Sequence, residues 1–263
     1  MNFDADLRIW KAKMSVGRMA YDSGLFRQAS QHFQRALDLV EDRRLPDELL
    51  SLTLVNLAKT LGSIGRFDEG ERMLQRALKL DEITSSSDAE YLVELIEDYH
   101  QLSLLYWRAG KPQLAEQPLA RAMALMSQTP KIPDELTAKL MKHKAVLSEL
   151  SGDYQLCEKL VNEAIEFIRS SSQLGKHAVI YGDCLMVKVM LLTELNRFDE
   201  AVEIYREAKQ VLEITRGVAH PKMLELMENL AALAERKGLL PAAESMHRQA
   251  EKIKVLLKDR EKF

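Results

Sequence analysis

An alanine recurs in one register along the whole chain, and this repetition restricts the fold more than any other feature of the sequence. Six turn residues lie at positions 24, 65, 110, 152, 196 and 238, so successive repeats are 41, 45, 42, 44 and 42 residues apart. The alanine follows each turn residue by twelve positions. The six alanines are Ala36, Ala77, Ala122, Ala164, Ala208 and Ala250. A side chain this small at a fixed position indicates that two helices approach closely there.

The stretch from Asn56 to Leu80 illustrates one complete repeat. It predicts a helix, a tight turn at Gly65-Arg66-Phe67 and a second helix, with Ala58 and Gly70 where the two helices touch. A small residue follows every turn residue by five positions: Ala29, Gly70, Ala115, Cys157, Ala201 and Ala243. One such hairpin cannot bury its own apolar face, so each hairpin needs neighbours of the same kind.

Two segments resemble a known repeat family. They are NLAKTLGSIGRFDEGERMLQRALKL at 56–80, and His220-Pro221 followed by Asn229-Leu230-Ala231. Over roughly residues 9–260 the chain resembles the tetratricopeptide repeat family. Its repeat exceeds the family's usual length of about 34 residues, which is similar to the kinesin-light-chain type. We therefore predict an all-α, right-handed α-solenoid of six hairpins of the tetratricopeptide type, with about twelve helices.

The repeats also predict the domain organisation. Because repeats in an array stabilise one another through their neighbours, we expect one domain over residues 1–263. The expected repeat boundaries are approximately 8–45, 46–86, 87–129, 130–172, 173–216 and 217–263.

Composition and charge exclude several classes of function. With 46% hydrophobic and 29% charged residues, the chain is typical of a soluble helical protein. A net charge of −3 argues against nucleic-acid binding driven by overall charge. No apolar run is long enough for membrane insertion, and the N-terminal MNFDADLRIWKAK lacks the apolar core of a secretory signal. We expect a cytoplasmic protein.

Motifs for catalysis or metal binding are missing from the sequence. The six histidines show no metal-binding spacing, and there is no phosphate-binding glycine loop, no Gly-x-Ser-x-Gly and no Cys-x-x-Cys. The two cysteines, Cys157 and Cys184, are interpreted as buried free thiols, with a disulfide or redox pair as the alternative. We therefore predict a protein that is not an enzyme and has no cofactor or metal.

Binding of another protein is the remaining function. The family resemblance implies that the first helix of each hairpin lines a concave groove, and helical spacing selects one stripe on each of these helices. The predicted partner-binding residues are Arg18, Tyr21, Val55, Asn56, Lys59, His100, Leu104, Trp107, Lys139, Lys142, His143, Val146, Met186, Met190, Glu225, Glu228 and Asn229. By resemblance, Asn56 and Asn229 would bond a ligand backbone.

The stripe is mainly basic in the first four repeats and acidic in the last two. Lys59, Lys139 and Lys142 are expected to favour acidic residues of a partner, and Asp183, Glu225 and Glu228 to favour basic ones. Other interpretations remain for some members: Trp107 would only cover its own hairpin, Met186 and Met190 would belong to the core, and His100 and His143 would be ordinary polar residues.

These expectations predict an adaptor, scaffold or assembly factor that binds a peptide segment or helix of a partner protein. One alternative is a regulator whose shape responds to a peptide or other ligand. Another is a structural subunit that oligomerises through its terminal helices, the first helix and the C-terminal helix. The expected oligomer contacts of the C-terminal helix are Ile253, Leu256 and Leu257, and a homodimer through this helix is one such assembly. Whether the groove is filled by the chain's own Phe3, Leu7 and Trp10 stays open.

Overall fold

The fold is all-α in the residues described by the computed structural model, which are 3–84, 89–175 and 178–260. Twelve helices form six hairpins there, as the repeats predict. The helices are α1 (Phe3–Asp22), α2 (Phe26–Arg43), α3 (Asp47–Ser63), α4 (Phe67–Thr84), α5 (Ala89–Arg108), α6 (Pro112–Gln128), α7 (Asp134–Leu150), α8 (Tyr154–Ser170), α9 (Val179–Glu194), α10 (Phe198–Arg216), α11 (Pro221–Arg236) and α12 (Leu240–Arg260).

The chain divides into two compact units, each with three hairpins. The first, Met1–Ile132, contains α1–α6, and the second, Pro133–Phe263, contains α7–α12. Within the first unit α2 packs on α3 and α4 packs on α5. Within the second unit α8 packs on α9 and α10 packs on α11. The prediction of one domain stays a prediction.

The predicted turn residues all end their helices in the left-handed backbone conformation. Gly65 has a φ of 82°, and Asn196 takes the same region with a φ of 57°. Glycine and asparagine adopt this conformation at lower cost than other residues. The chain then reverses at once, because the amide of Arg66 bonds the carbonyl of Leu61 at 2.9 Å and the next helix begins at Phe67.

The repeated small residues lie where the helices of a hairpin meet. Five of the six register alanines are 0% exposed and Ala250 is 2% exposed. A Cβ at Gly70 would come within 3.0 Å of Leu105 Cδ1 and 3.2 Å of the Ala58 carbonyl oxygen. The predicted contact between Ala58 and Gly70 is therefore confirmed, and it leaves no room for a side chain.

The two cysteines are free thiols in the core of the second unit, as predicted. Both are 0% exposed, Cys157 on α8 and Cys184 on α9. Burial is the main reason that the pKa of each thiol is raised to about 12. The reactive thiolate is scarce at neutral pH, so these residues act as small apolar side chains.

The last helix packs largely against its own repeat. Ile253 is buried in the core of the second unit and Leu257 packs against the same core, whereas Leu256 is 47% exposed. Of the three predicted oligomer contacts, only Leu256 is an exposed apolar side chain. Most other exposed positions of α12 are charged or polar.

The N-terminal segment does not offer its tryptophan to a groove. Residues 3–22 form α1, and Trp10 is 4% exposed. Its indole Nε1 donates a hydrogen bond of 2.9 Å to Thr53 Oγ1 on α3. Trp10 therefore fastens the first hairpin to the second.

Candidate functional site

A group of polar and basic side chains from α1, α3 and α5 lies together in the first unit. We name it the cationic face, and it consists of Tyr21, Lys59, Ser63 and Arg108, with Arg18 one helical turn before Tyr21 on α1. Lys59 Nζ lies 4.4 Å from the centre of the Tyr21 ring. Tyr21 Oη lies 3.3 Å from Ser63 Oγ, and Arg108 Nη1 donates to the same Ser63 oxygen at 3.0 Å. Three hairpins thus contribute to one site.

Helical spacing explains why these residues converge. Arg18 lies three residues before Tyr21 on α1, and Lys59 lies four residues before Ser63 on α3, so each pair shares one helix face. Ser63 Oγ also donates to the Lys59 carbonyl at 3.1 Å, which fixes its hydroxyl between the Tyr21 and Arg108 side chains.

The cationic face lacks a neutralising carboxylate. Among the described residues no ion pair joins Arg18, Lys59 or Arg108 to an aspartate or glutamate. Burial by itself would raise the pKa of Tyr21, but the positive charges of Lys59 and Arg108 outweigh it, and the pKa of Tyr21 is lowered from its ordinary value. The local field therefore favours negative charge.

The stripe predicted from the sequence includes Arg18, Tyr21 and Lys59, but it misses Ser63 and Arg108. The missed residues both lie two positions before a turn residue, whereas the selected stripe uses the position three before the turn. Only the packing of α1, α3 and α5 brings the residues two positions before a turn beside the residues of the predicted stripe.

The other predicted residues of the first unit differ in their accessibility. His100 is 2% exposed and Val55 is 9% exposed, so they form no open surface. Leu104 and Trp107 are half-buried. Asn56 is also half-buried, and its Nδ2 donates to the Leu52 carbonyl at 2.7 Å. Its side-chain oxygen is then the group that could bond a ligand backbone.

In the second unit the predicted charges largely neutralise one another. The carboxylate of Asp183 on α9 lies 3.7 Å from Lys142 on α7 and 3.2 Å from Arg216 on α10. Burial alone would raise the pKa of Asp183, but Lys142, Arg216 and Lys222 outweigh it and lower that pKa. Asp183 and Lys142 therefore stabilise a junction between helices, which differs from the expectation that each would attract an opposite charge on a partner.

The remaining charged positions are also paired locally. Lys139 lies 2.9 Å from Glu135, Glu225 lies 2.7 Å from Lys222, and Glu228 lies 3.2 Å from Lys254. Each pair is solvent-exposed in part, so each can open at small cost.

Two of the predicted side chains in this unit are core residues. His143 is 1% exposed and Met186 is 3% exposed. Val146, Met190 and Asn229 are half-buried. The interpretation of Met186 as core is the one that its burial favours.

One glutamate in the second unit has an unusual protonation equilibrium. Burial, with the nearby charge of Glu194, raises the pKa of Glu149 from 4.5 to about 7. Glu194 is paired with Arg236 at 3.3 Å. Glu149 therefore changes charge near neutral pH.

The described residues contain neither a metal-binding cluster nor a membrane-spanning helix. No group of three histidine, cysteine or acidic side chains among them could hold a metal ion. No helix within them is both long and apolar enough to cross a bilayer.

The chain is similar in sequence to known repeat proteins. The sequence matches the model of the tetratricopeptide repeat over residues 11–83 and 184–254. It is 23% identical over 239 residues to Protein KINESIN LIGHT CHAIN-RELATED 2 of Arabidopsis thaliana, a match that covers 90% of this chain and 34% of that protein. The chain thus spans about a third of the length of this curated relative.

Solved structures share the fold at low sequence identity. The crystal structure of BtubC (BKLC) from P. vanneervenii has a TM-score of 0.58 at 17% identity, with 95% of this chain and 92% of that chain covered. A Rap protein complexed with competence and sporulation factor has a TM-score of 0.68 at 14% identity, with 98% and 78% covered. Both likenesses concern the fold alone, and they agree with the predicted all-α solenoid class.

Proposed function

Because the chain belongs to the tetratricopeptide repeat family, we propose that it is a non-enzymatic protein-interaction module that binds a segment of a partner protein. The fold is that of a protein-interaction module. We assign the cationic face of α1, α3 and α5 to an acidic side chain or terminal carboxylate of a peptide or helix. In the cell this activity would serve an adaptor, scaffold or assembly factor.

The single observation that carries this proposal is the cluster of Lys59 and Arg108 around Tyr21 and Ser63. Two cations lie close to one hydroxyl pair, and no carboxylate among the described residues pairs with either of them. A carboxylate from a partner would supply the missing negative charge. The planar guanidinium of Arg108 suits two-point binding of such a group, and the ammonium of Lys59 adds a second charge-assisted bond.

Neighbouring side chains extend this face beyond charge. Leu104 lies one helical turn before Arg108 on α5, and Trp107 is its direct neighbour in sequence. Both are half-buried and so keep some apolar surface accessible. The side-chain oxygen of Asn56 on α3 can accept a bond from a peptide amide. The preferred ligand is therefore an extended or helical segment with an acidic residue beside an apolar one.

The test is a binding measurement with two charge-matched double variants. Lys59→Glu with Arg108→Glu removes the two cations of the face. Lys79→Glu with Lys131→Glu makes the same change in net charge at exposed lysines of the first unit. Each variant and the wild type is probed with an array of peptides that vary in acidic and apolar content, after circular dichroism has shown that all three are folded.

We expect the wild type to retain peptides that combine acidic and apolar residues. The first variant should lose them and the control should keep them. Equal binding by all three proteins would place the peptide elsewhere, and equal loss in both variants would reduce the effect to net charge. Either result would overturn the assignment.

A further inference from the structure

The first helix has a second apolar stripe, on a side that is exposed in the described chain. It consists of Ile9, Ala12, Val16 and Met19, and we name it the outer stripe of α1. Ile9, Val16 and Met19 are 47%, 45% and 67% exposed, and Ala12 is exposed as well. The buried side of the same helix is formed by other residues, Trp10, Met14, Gly17 and Ala20.

The spacing of the outer stripe is that of a helix-pairing surface. Its members follow one another by three, four and three residues, which is the alternation found at the contact positions of paired helices. Since successive residues are about 100° apart around a helix, Arg18 lies half a turn away from Ile9. The outer stripe is therefore separate from the cationic face.

The last helix, α12, has no continuous apolar stripe of this kind among its described side chains. It has three large exposed apolar residues, but Leu240 lies in its first turn, while Val255 and Leu256 are sequence neighbours that point about 100° apart. Its other exposed positions are mostly charged, among them Glu244, Arg248 and Lys252. A second copy could not cover the apolar stripe of α1 with such a surface, so head-to-tail association is disfavoured.

We propose that the outer stripe of α1 is a self-association surface, at which α1 of a second copy packs antiparallel in a two-fold symmetric dimer. In this arrangement Ile9 of one copy packs on Met19 of its partner, and Ala12 packs on Val16. The same four residues are buried on both sides, as two-fold symmetry requires.

Charge favours the antiparallel direction. Arg8 and Asp22 lie along one edge of the stripe, both are exposed, and neither has an ion pair among the described residues. Antiparallel packing places Arg8 of each copy beside Asp22 of the other, which gives two equivalent pairs. Parallel packing would instead bring Arg8 towards Lys13 of the other copy, so it would add two repulsive contacts.

Repulsion between the Lys13 side chains of the two copies opposes this dimer. Lys13 lies on the other edge of the stripe, where the Lys13 side chains of the two copies approach one another. Their flexible stems let the ammonium groups extend into solvent, but some repulsion remains. One helix pair about 30 Å long is a small interface. The dimer is therefore expected to dissociate on dilution.

Sedimentation equilibrium of the full chain over a series of concentrations tests the proposal. The wild type should show a reversible dimer, Val16→Glu should remain a monomer, and Lys13→Ala should associate more tightly. The matched control is Ile214→Glu, an apolar residue on α10 that is 59% exposed, and it should dimerise like the wild type. Circular dichroism shows that each variant is folded.

A charge exchange tests the direction of the helices. Arg8→Asp and Asp22→Arg should each weaken the dimer about tenfold, and the double exchange should restore it. A wild type that is monomeric at every concentration would overturn the proposal. So would a dimer that survives Val16→Glu, and a double exchange without recovery would overturn the antiparallel arrangement.

Discussion

Arg216 binds the carboxylate of Asp183 through one nitrogen, with Nη2 3.3 Å from Oδ1 and 3.2 Å from Oδ2. Lys142 approaches the same carboxylate from α7 at 3.7 Å. The side chains of Arg216, Asp183 and Lys142 are only 17%, 15% and 20% exposed. One anion therefore holds the cations of two other helices in a largely dry environment.

Replacement of Asp183 by asparagine should destabilise the second unit by about 3 kcal/mol, because Lys142 and Arg216 would lose the charge that offsets their burial. Urea unfolding measures the effect. The control is Glu163→Gln, which opens the exposed pair with Lys159 on α8 and should cause no measurable loss. Equal stability of the two variants would show that Asp183 contributes no more than a surface charge.

Asp98 should make the first unit less stable as pH rises. Burial, a hydrogen bond with Asp81 and nearby carboxylates raise the pKa of Asp98 well above 3.8. The folded state therefore retains a proton that the unfolded chain releases. The stabilisation that this proton provides is complete below the pKa of Asp98 in the unfolded chain. It is lost as pH rises towards the pKa of Asp98 in the folded protein, by up to about 1.4 kcal/mol per pH unit.

Asp98→Asn removes this titration and keeps a donor for Asp81, which also accepts from Ser51 at 2.7 Å. We expect its stability relative to the wild type to increase steadily from acidic to neutral pH, as measured by urea unfolding at several pH values. A difference that is constant with pH would show that Asp98 is ionised in the folded protein.

The pKa of Tyr21 should report on the cationic face. Lys59→Met or Arg108→Met should raise it, because each removes a positive charge that favours the tyrosinate. An acidic peptide bound at this face should raise it as well, since it adds negative charge. Nuclear magnetic resonance of ring-labelled tyrosine measures the pKa, and Tyr21→Phe identifies the signal. A pKa unmoved by both substitutions would contradict the described geometry.

The register alanines should tolerate no larger side chain. Ala77→Leu inserts three carbon atoms into a contact that is 0% exposed, and we expect a loss of about 3 kcal/mol in the free energy of unfolding. Ala124→Leu makes the same change at an exposed position of α6 and should change stability by about 0.5 kcal/mol or less. Chemical denaturation distinguishes them, and similar losses would mean that the Ala77 contact is loosely packed.

The sequence alone determined the repeating architecture. Every hairpin repeats a turn residue that can take a positive φ and an alanine at a close contact between helices. Because these constraints are local, the roles of Gly65, Asn196 and Ala77 could be predicted from the sequence. The burial of Cys157 followed from the same pattern, because it occupies one of the repeated small positions.

The candidate site depended on the tertiary structure. A stripe chosen by helical spacing shows which side chains share a face, but it does not show how deep that face lies or which charges meet across helices. Lys59 and Lys142 are both basic members of the predicted stripe, yet one lies over Tyr21 and the other beside Asp183. Charge and burial depend on neighbours that are distant in sequence. Only the packing of three hairpins decided that Arg108 and Ser63 join Tyr21, and that Met186 lies in the core.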